Sequence, residues 1–431
     1  DLRMSRGLGD VYKRQAIWHC SGEKCLEGAC FVQGAKNAVL PILAASVVCP
    51  TETDLLNVPQ LSDVEMSLRI LRSLGCTAQQ QENDVYIDSR ALSSNVIPQS
   101  MMESMRSSVL FMGALLARCG EVHLTLPGGC RLGARPIDMH LDAMKALGAS
   151  VEESGCEIVC RAEKLKGAHI RLPYPSVGAT ENAMIAACGA EGETVITGAA
   201  KEPEIEDLQE YLRKAGAYIS GAGTSTVKIS GFERESHVGH RIIPDRIVSA
   251  TFLCAAAATG GDIELRGVDL RQFSRLEHFL KRAGCDIISS RRSVRLISDG
   301  KLNAVGRVST GPYPEFPTDM QPLLMAALLK AVGRTDFIEN VFDSRFGHAK
   351  QLSRFGADIS VEGRQASVWG VRDLRGAVVS AGDLRGGAAM IIAALSAEGE
   401  SLIVDPGHIA RGYEHLDHKL RSLGADIFLE L

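Results

Sequence analysis

SLRILRSLGC at 67–76 closes an amphipathic helix on a glycine, and the same ending returns five times: LDAMKALGA at 141–149, LQEYLRKAGA at 208–217, LEHFLKRAGC at 276–285, KQLSRFGAD at 350–358 and LDHKLRSLGAD at 416–426. The glycines Gly75, Gly148, Gly216, Gly284, Gly356 and Gly424 are 68 to 73 residues apart. Apolar residues three or four apart, such as Leu416, Leu420 and Leu423, predict one buried helix face, and each glycine stands where a left-handed C-cap is wanted. A short alternating strand follows each copy. Between these endings lies a second signature, an Ala-rich apolar helix running into a turn and a strand. It reads NAVLPILAASVVCPTETDLLNV at 37–58, SSVLFMGALLARCGEVHLTL at 107–126 and ENAMIAACGAEGETVITGA at 181–199. The second half continues it with SATFLCAAAATGGDIELRG at 249–267, LLMAALLKAVGRTDFIENV at 323–341 and GGAAMIIAALSAEGESLIV at 386–404. Six α/β units of about 70 residues, each too small to bury its own faces, predict two globular halves of three units.

The composition agrees with this plan. A chain of 431 residues exceeds what one core usually fills. Apolar residues at 45% and charged ones at 23% describe an ordinary globular α/β protein. The formal net charge of −5, without a Lys/Arg run, argues against a nucleic-acid partner, so an anionic ligand must be met by locally clustered cations. No apolar run reaches the roughly 18 residues of a membrane span, and the longest, at 39–48, is broken by Pro41. No secretory signal is visible, and protein partners are unknown from sequence. The twelve cysteines include no C-x-x-C pair and mostly sit in apolar runs, which reads as reduced thiols in a cytoplasmic protein. Cys20, Cys25 and Cys30 behind His19 read as strand and turn residues rather than a zinc site. His415 and His418 share a polar helix face, and no metal is expected there. Neither a G-x-G-x-x-G nor a P-loop pattern occurs. The first fifteen residues, DLRMSRGLGDVYKRQ, share no periodicity with the rest and are expected to be a disordered or non-native leader.

PGGCRLGARPID at 127–138 stands apart from the scaffold. Gly128 and Gly129 open backbone angles closed to other residues, and Cys130 follows with Arg131 and Arg135 nearby. A thiol among cations invites chemistry, while a turn carrying a small apolar cysteine is the plainer alternative. SVGAT at 176–180 reads as a helix N-cap whose amides would also suit an anion.

The six repeats, with GAKNAVLPIL at 34–43, PGGCRLGARPID at 127–138, FPTDMQ at 316–321 and ARGYE at 410–414, closely resemble the enolpyruvyl transferases from about residue 17 to the C-terminus. The resemblance implies a two-domain inside-out α/β barrel of six βαβαββ repeats. The first domain would be 36–244 and the second 16–35 plus 245–431. It implies transfer of the enolpyruvyl group of phosphoenolpyruvate to the 3-hydroxyl of UDP-N-acetylglucosamine, with release of phosphate, the first committed step of peptidoglycan synthesis. It implies no metal or organic cofactor. The reaction is addition then elimination, needing a proton donor, a base and charge neutralisation.

By the same resemblance Cys130 is the proton donor, can form a covalent adduct with phosphoenolpyruvate and is the target of fosfomycin. Asp319 is the base or orienter for the 3-hydroxyl, and is also expected to cap the helix that follows it. Lys36 and Asn37, with Arg135 and Arg411, hold phosphoenolpyruvate. Arg106, Arg345 and Arg385 surround the anionic ligands, where planar guanidinium groups suit carboxylate and phosphate. The nucleotide end falls to Arg135, Pro136, Ile137, Asp138 and Met139 and to Tyr174, Pro175, Ser176 and Val177, with Asp319 and Val341 nearer the sugar. The chain departs from relatives at Tyr174, Val248, Ala250 and Ala410, where Lys, Glu, Gly and Asp occur; fine substrate contacts are put in doubt there. Asp245 and Arg246 open the crossover into the second domain. Two alternatives stay open: a 5-enolpyruvylshikimate-3-phosphate synthase, against which the PGGC loop speaks, and a non-catalytic sugar-nucleotide-binding paralogue.

Overall fold

The Ala-rich segments form the helices Lys36–Ala45, Phe111–Cys119, Val177–Ala187, Arg246–Thr259, Gln321–Ala327 and Leu384–Leu395 in a computed structural model, which describes residues 16–22, 24–128, 137–233 and 235–431. They are apolar on nearly all sides, so each must be enclosed. The first three pack on one another, as do the last three. Around the first trio lies one continuous core, from Ala35 to Ile242; around the second lies another, built from 247–427 and from Trp18, Cys20, Leu26, Cys30 and Val32. Small side chains let the inner helices approach closely. Gly113, for example, has Asn182 so near that an added Cβ would lie 2.4 Å from its Oδ1.

The amphipathic helices follow the predicted pattern at Ser62–Ser73, Asp138–Ala146, Pro203–Lys214, Ser274–Ala283 and Leu416–Ser422. The fifth copy of the series differs: it breaks into Arg345–His348, Ala349–Leu352 and Ser353–Phe355. There Arg345 and His348 are buried in place of part of the apolar stripe, and Arg345 turns inward to Thr318 and Asp319. All six repeat glycines are left-handed, with φ between 90° and 111°. A strand follows each of them: Thr77–Gln81, Ser150–Ser154, Ala217–Ser220, Asp286–Ser289, Asp358–Glu362 and Asp426–Glu430.

Five four-stranded sheets and one three-stranded sheet cover the inner helices among the described residues. The third unit shows the pattern. His169–Arg171 pairs in parallel with Thr194–Thr197, which pairs antiparallel with Thr226–Phe232, the partner of Ala217–Ser220. In the three-stranded sheet the missing parallel edge is a single bridge from Val96 to His123.

Two exchanges tie the ends of the chain into this scheme. Glu27–Phe31 precedes the first inner helix but pairs with Asp262–Arg266. His237–Arg241 instead supplies the parallel edge for Glu52–Leu56. Ala16–Ser21 lies between Glu400–Asp405 and Asp426–Glu430, antiparallel to both. The two passages of chain between the cores run side by side, with Ala35 N donating to Ile243 O at 2.7 Å and Asp245 N to Gln33 O at 2.9 Å.

Cys20 and Cys30 are strand residues and Cys25 lies in the turn between them; all the described cysteines are free thiols. Among the described residues no helix is long and apolar enough to cross a membrane.

Candidate functional site between the two cores

Lys36 begins the first inner helix directly after the crossing, and its backbone N donates to Asp245 Oδ2 at 3.2 Å. Asp245 Oδ1 caps the first inner helix of the second half, accepting from Ile247 N at 2.8 Å and Val248 N at 3.0 Å. One carboxylate therefore fixes the starts of two helices, one in each core. The Lys36 ammonium reaches Asp63 Oδ2 at 2.6 Å. From the second half, Arg411 clamps the same carboxylate, Nε to Oδ1 at 2.9 Å and Nη2 to Oδ2 at 3.3 Å. Burial alone would raise the Asp63 carboxyl, but Lys36 and Arg411 outweigh it and hold it below the usual range. Burial lowers the Lys36 ammonium; Asp63 opposes this, while Arg411 and Arg385 add to it. Lys36 and Arg411 meet on one carboxylate with Arg385 near enough to act on Lys36, a cationic cluster suited to an anion.

Asp319, Arg345 and Arg385 form a second group. Asp319 Oδ1 accepts from Arg345 Nη2 at 3.1 Å and Oδ2 from Arg385 Nε at 3.3 Å. The expected helix cap is not what Asp319 provides: the cap position of Gln321–Ala327 is Met320, without a side-chain cap bond. Two guanidinium groups draw the carboxylate away from the helix amides. Arg385 is the second residue of its helix, behind the Asp383 cap, lies over the Tyr413 ring at 5.5 Å, and is buried. Its Nη1 has no hydrogen-bond partner among the described residues. A buried guanidinium donor left open marks a place for an acceptor.

A third group lies wholly in the first half. Arg106 opens the short turn Arg106–Leu110, and Asp138 and Met139 open the helix Asp138–Ala146 behind buried Ile137. Ser176 caps the helix Val177–Ala187, its Oγ accepting from Ala179 N at 3.4 Å, as read from the sequence. Tyr174 and Pro175 lead into that cap, with Tyr174 exposed. Between Arg106 and this helix sits buried His140. Burial, with Arg106 nearby and against the pull of Asp138, lowers its imidazole to about 4. Asn182 Oδ1 accepts from Gly113 N at 2.8 Å, which turns its Nδ2 towards Val109 O and His140 Nδ1, both at 3.0 Å. The neutral ring thus carries its proton on Nε2, which faces the start of the helix at Gly178.

Asn37 follows Lys36 on the same helix. Val341 N donates to Glu339 Oε1 at 2.8 Å, and Thr318 Oγ1 donates to Glu339 Oε2 at 3.0 Å, so Glu339 ties the Val341 loop to the Asp319 segment. Val248 and Ala250 are buried in the second core and Ala410 is exposed. Cys130, Arg135 and Pro136 lie outside the described residues. Asp63, His140, Glu339 and Glu414 emerge only in the folded chain. Asp63 had no motif to announce it, whereas Glu339 stands within the quoted stretch 323–341, Glu414 within the quoted ARGYE, and His140 one residue beyond Met139.

The family model of EPSP synthase (3-phosphoshikimate 1-carboxyvinyltransferase) matches residues 20–420. UDP-N-acetylglucosamine 1-carboxyvinyltransferase 2 of Caldanaerobacter subterraneus subsp. tengcongensis is 45% identical over 94% of this chain and 98% of its own length. UDP-N-acetylglucosamine 1-carboxyvinyltransferase of Trichlorobacter lovleyi is 44% identical over 94% and 97%. Among solved structures, the enolpyruvyl transferase NikO of Streptomyces tendae shares the fold, with a TM-score of 0.85 at 24% identity over 96% of this chain and 99% of that one. With the paired inner-helix cores and the cationic site between them, these likenesses settle the lineage: the chain belongs to the EPSP synthase family, in the branch of the UDP-N-acetylglucosamine 1-carboxyvinyltransferases.

Proposed function

We propose that this enzyme transfers the enolpyruvyl group of phosphoenolpyruvate to the 3-hydroxyl of UDP-N-acetylglucosamine and releases phosphate; its relatives are named for carboxyvinyl transfer to UDP-N-acetylglucosamine. The structural observation that carries the reading is the convergence of Lys36, Arg411 and Arg385 with an open buried donor on Arg385. An anion bearing both carboxylate and phosphate is the partner such a set calls for.

In this reading Lys36, Asn37, Arg135 and Arg411 hold phosphoenolpyruvate, and Arg345 and Arg385 hold the Asp319 carboxylate in place for the sugar hydroxyl. Cys130 gives a proton to C3 while the hydroxyl oxygen attacks C2 and its hydrogen passes to Asp319. The Cys130 thiolate then takes a proton back from C3 of the tetrahedral adduct, the C2–O bond to phosphate breaks with the proton on Asp319 passing to the departing phosphate, and the C2–C3 double bond re-forms as the enol ether of the product. Arg106, Pro136, Ile137, Asp138, Met139, Tyr174, Pro175, Ser176, Val177 and Val341 line the sugar-nucleotide side. The two cores are the two domains, 36–244 and 16–35 plus 245–431, and the reaction runs between them. The reduced thiols suit the cytoplasm, and the product suits cell-wall synthesis.

Phosphate release tests this directly, with phosphoenolpyruvate as donor and either UDP-N-acetylglucosamine or shikimate 3-phosphate as acceptor. Release with the sugar nucleotide alone is expected. Release with shikimate 3-phosphate alone would replace this reading with the other family activity, and release with neither acceptor would favour a binding protein.

A further inference from the structure

Glu414 is a buried carboxylate in the segment after Arg411, and it crosses from the second half to the first. Its Oε1 accepts from Gln60 N at 2.8 Å and from Asn83 Nδ2 at 2.7 Å, both in the first half. Its Oε2 accepts from Lys419 Nζ at 3.0 Å. The backbone of the same segment is gripped by Gln33, which lies in the crossing between the cores. Glu414 N donates to Gln33 Oε1 at 2.9 Å, and Gln33 Nε2 donates to Gly412 O at 3.2 Å. Gln33 O in turn accepts from Asp245 N. Asn83 is itself fixed, since its O accepts from Val58 N and its Nδ2 also donates to Val58 O.

Residues 412–414 are therefore gripped by Gln33 at the crossing and tied to the first half through Gln60 and Asn83, while Lys419 holds the other carboxylate oxygen from the second half. Arg411 is one residue before this pinned stretch, and its guanidinium must meet a carboxylate of the first half. We infer that Glu414 is a positioning residue which, with Gln33, sets the Arg411 guanidinium against Asp63 and so keeps it in register for phosphoenolpyruvate. This rests on the reading of Arg411 as a ligand of that substrate. Breaking the pin leaves Arg411 chemically intact and displaces it, and a displacement of about 1 Å at a binding group costs up to about a hundredfold in rate or affinity.

The test is a double-mutant cycle on the full chain, read as KM for phosphoenolpyruvate, KM for UDP-N-acetylglucosamine, and kcat. Glu414→Ala is expected to raise the KM for phosphoenolpyruvate about tenfold while leaving that for UDP-N-acetylglucosamine within about twofold. In an Arg411→Ala background the same change should add less than about twofold, because coupled residues are not additive. Asn83→Ala, which removes one donor to the Glu414 carboxylate, should give a smaller rise of the same kind; it carries the test should Glu414→Ala fail to fold. Full additivity, an equal rise in both KM values, or no rise in either variant would overturn the inference while leaving the Arg411 reading in place. An Arg411→Ala enzyme with unchanged KM for phosphoenolpyruvate would instead remove the reading of Arg411, and this inference with it.

Discussion

Asp63 pairs with both Lys36 and Arg411, and its replacement has a consequence that depends on pH. The groups that set the Lys36 charge are Asp63 on the helix Ser62–Ser73, Arg411 on the turn Ile409–Arg411 and Arg385 on the helix Leu384–Leu395. In Asp63→Asn the attraction disappears while burial and two guanidinium charges remain, so the Lys36 ammonium falls further. KM for phosphoenolpyruvate should then exceed the wild-type value by a factor that grows as pH rises from 6 to 9; a ratio constant with pH would refute this. Stability follows its own sign. A carboxyl held below its unfolded value of about 3.9 stabilises the fold above that pH and loses the contribution as pH falls through the folded value. Denaturant titration should show Asp63→Asn weaker by about 3 kcal/mol near neutrality, with the gap closing in acid. Sequence reading did not find this residue, because SDVE at 62–65 looks like ordinary first-turn acid at a helix start. Asp319 shows the opposite error: its motif announced chemistry, but the cap assigned to it is absent because two arginines engage the carboxylate first.

At the scale of the element, the glycine endings and the apolar helices were readable because both arise from local geometry. A left-handed C-cap and an all-round apolar surface leave their marks within a dozen residues. The broken helix near Arg345 was not readable, since its cause is Thr318 and Asp319, more than twenty residues away. Contact between inner helices gives a prediction at this scale. Gly113→Ala would push a Cβ to within 2.4 Å of Asn182 Oδ1 and 2.6 Å of Asn182 O. The helices Phe111–Cys119 and Val177–Ala187 must then separate, and the Asn182 contact that sets the His140 tautomer moves with them. Thermal or denaturant unfolding should show a loss of about 1–3 kcal/mol, larger than the helix-propensity gain of alanine. Unchanged stability would mean that the two helices slide apart freely.

For the whole molecule, the distribution of the three groups decides what closure can do. Asp319, Arg345 and Arg385 all belong to the second half, and Arg106, Asp138, His140 and Ser176 all belong to the first. Lys36 and Arg411 already meet through Asp63 beside the crossings, whereas the nucleotide side and the Asp319 side stand on different halves. A ligand that touches both should draw the halves together and exclude water from the intermediate. Small-angle scattering should therefore show a smaller radius of gyration with UDP-N-acetylglucosamine than without it, and an unchanged radius would count against closure.

The exchange of edge strands also sets an order of events during synthesis. Ala16–Ser21 is made well before its partners, Glu400–Asp405 and Asp426–Glu430, which come nearly four hundred residues later. Residues 36–244 include their own closing strand, His237–Arg241, so the first core can assemble while translation continues. Glu27–Phe31 gains its partner when Asp262–Arg266 appears, and Ala16–Ser21 waits for Asp426–Glu430. The earliest described strand is thus among the last to be secured, and until then it is an exposed edge for chaperones to guard.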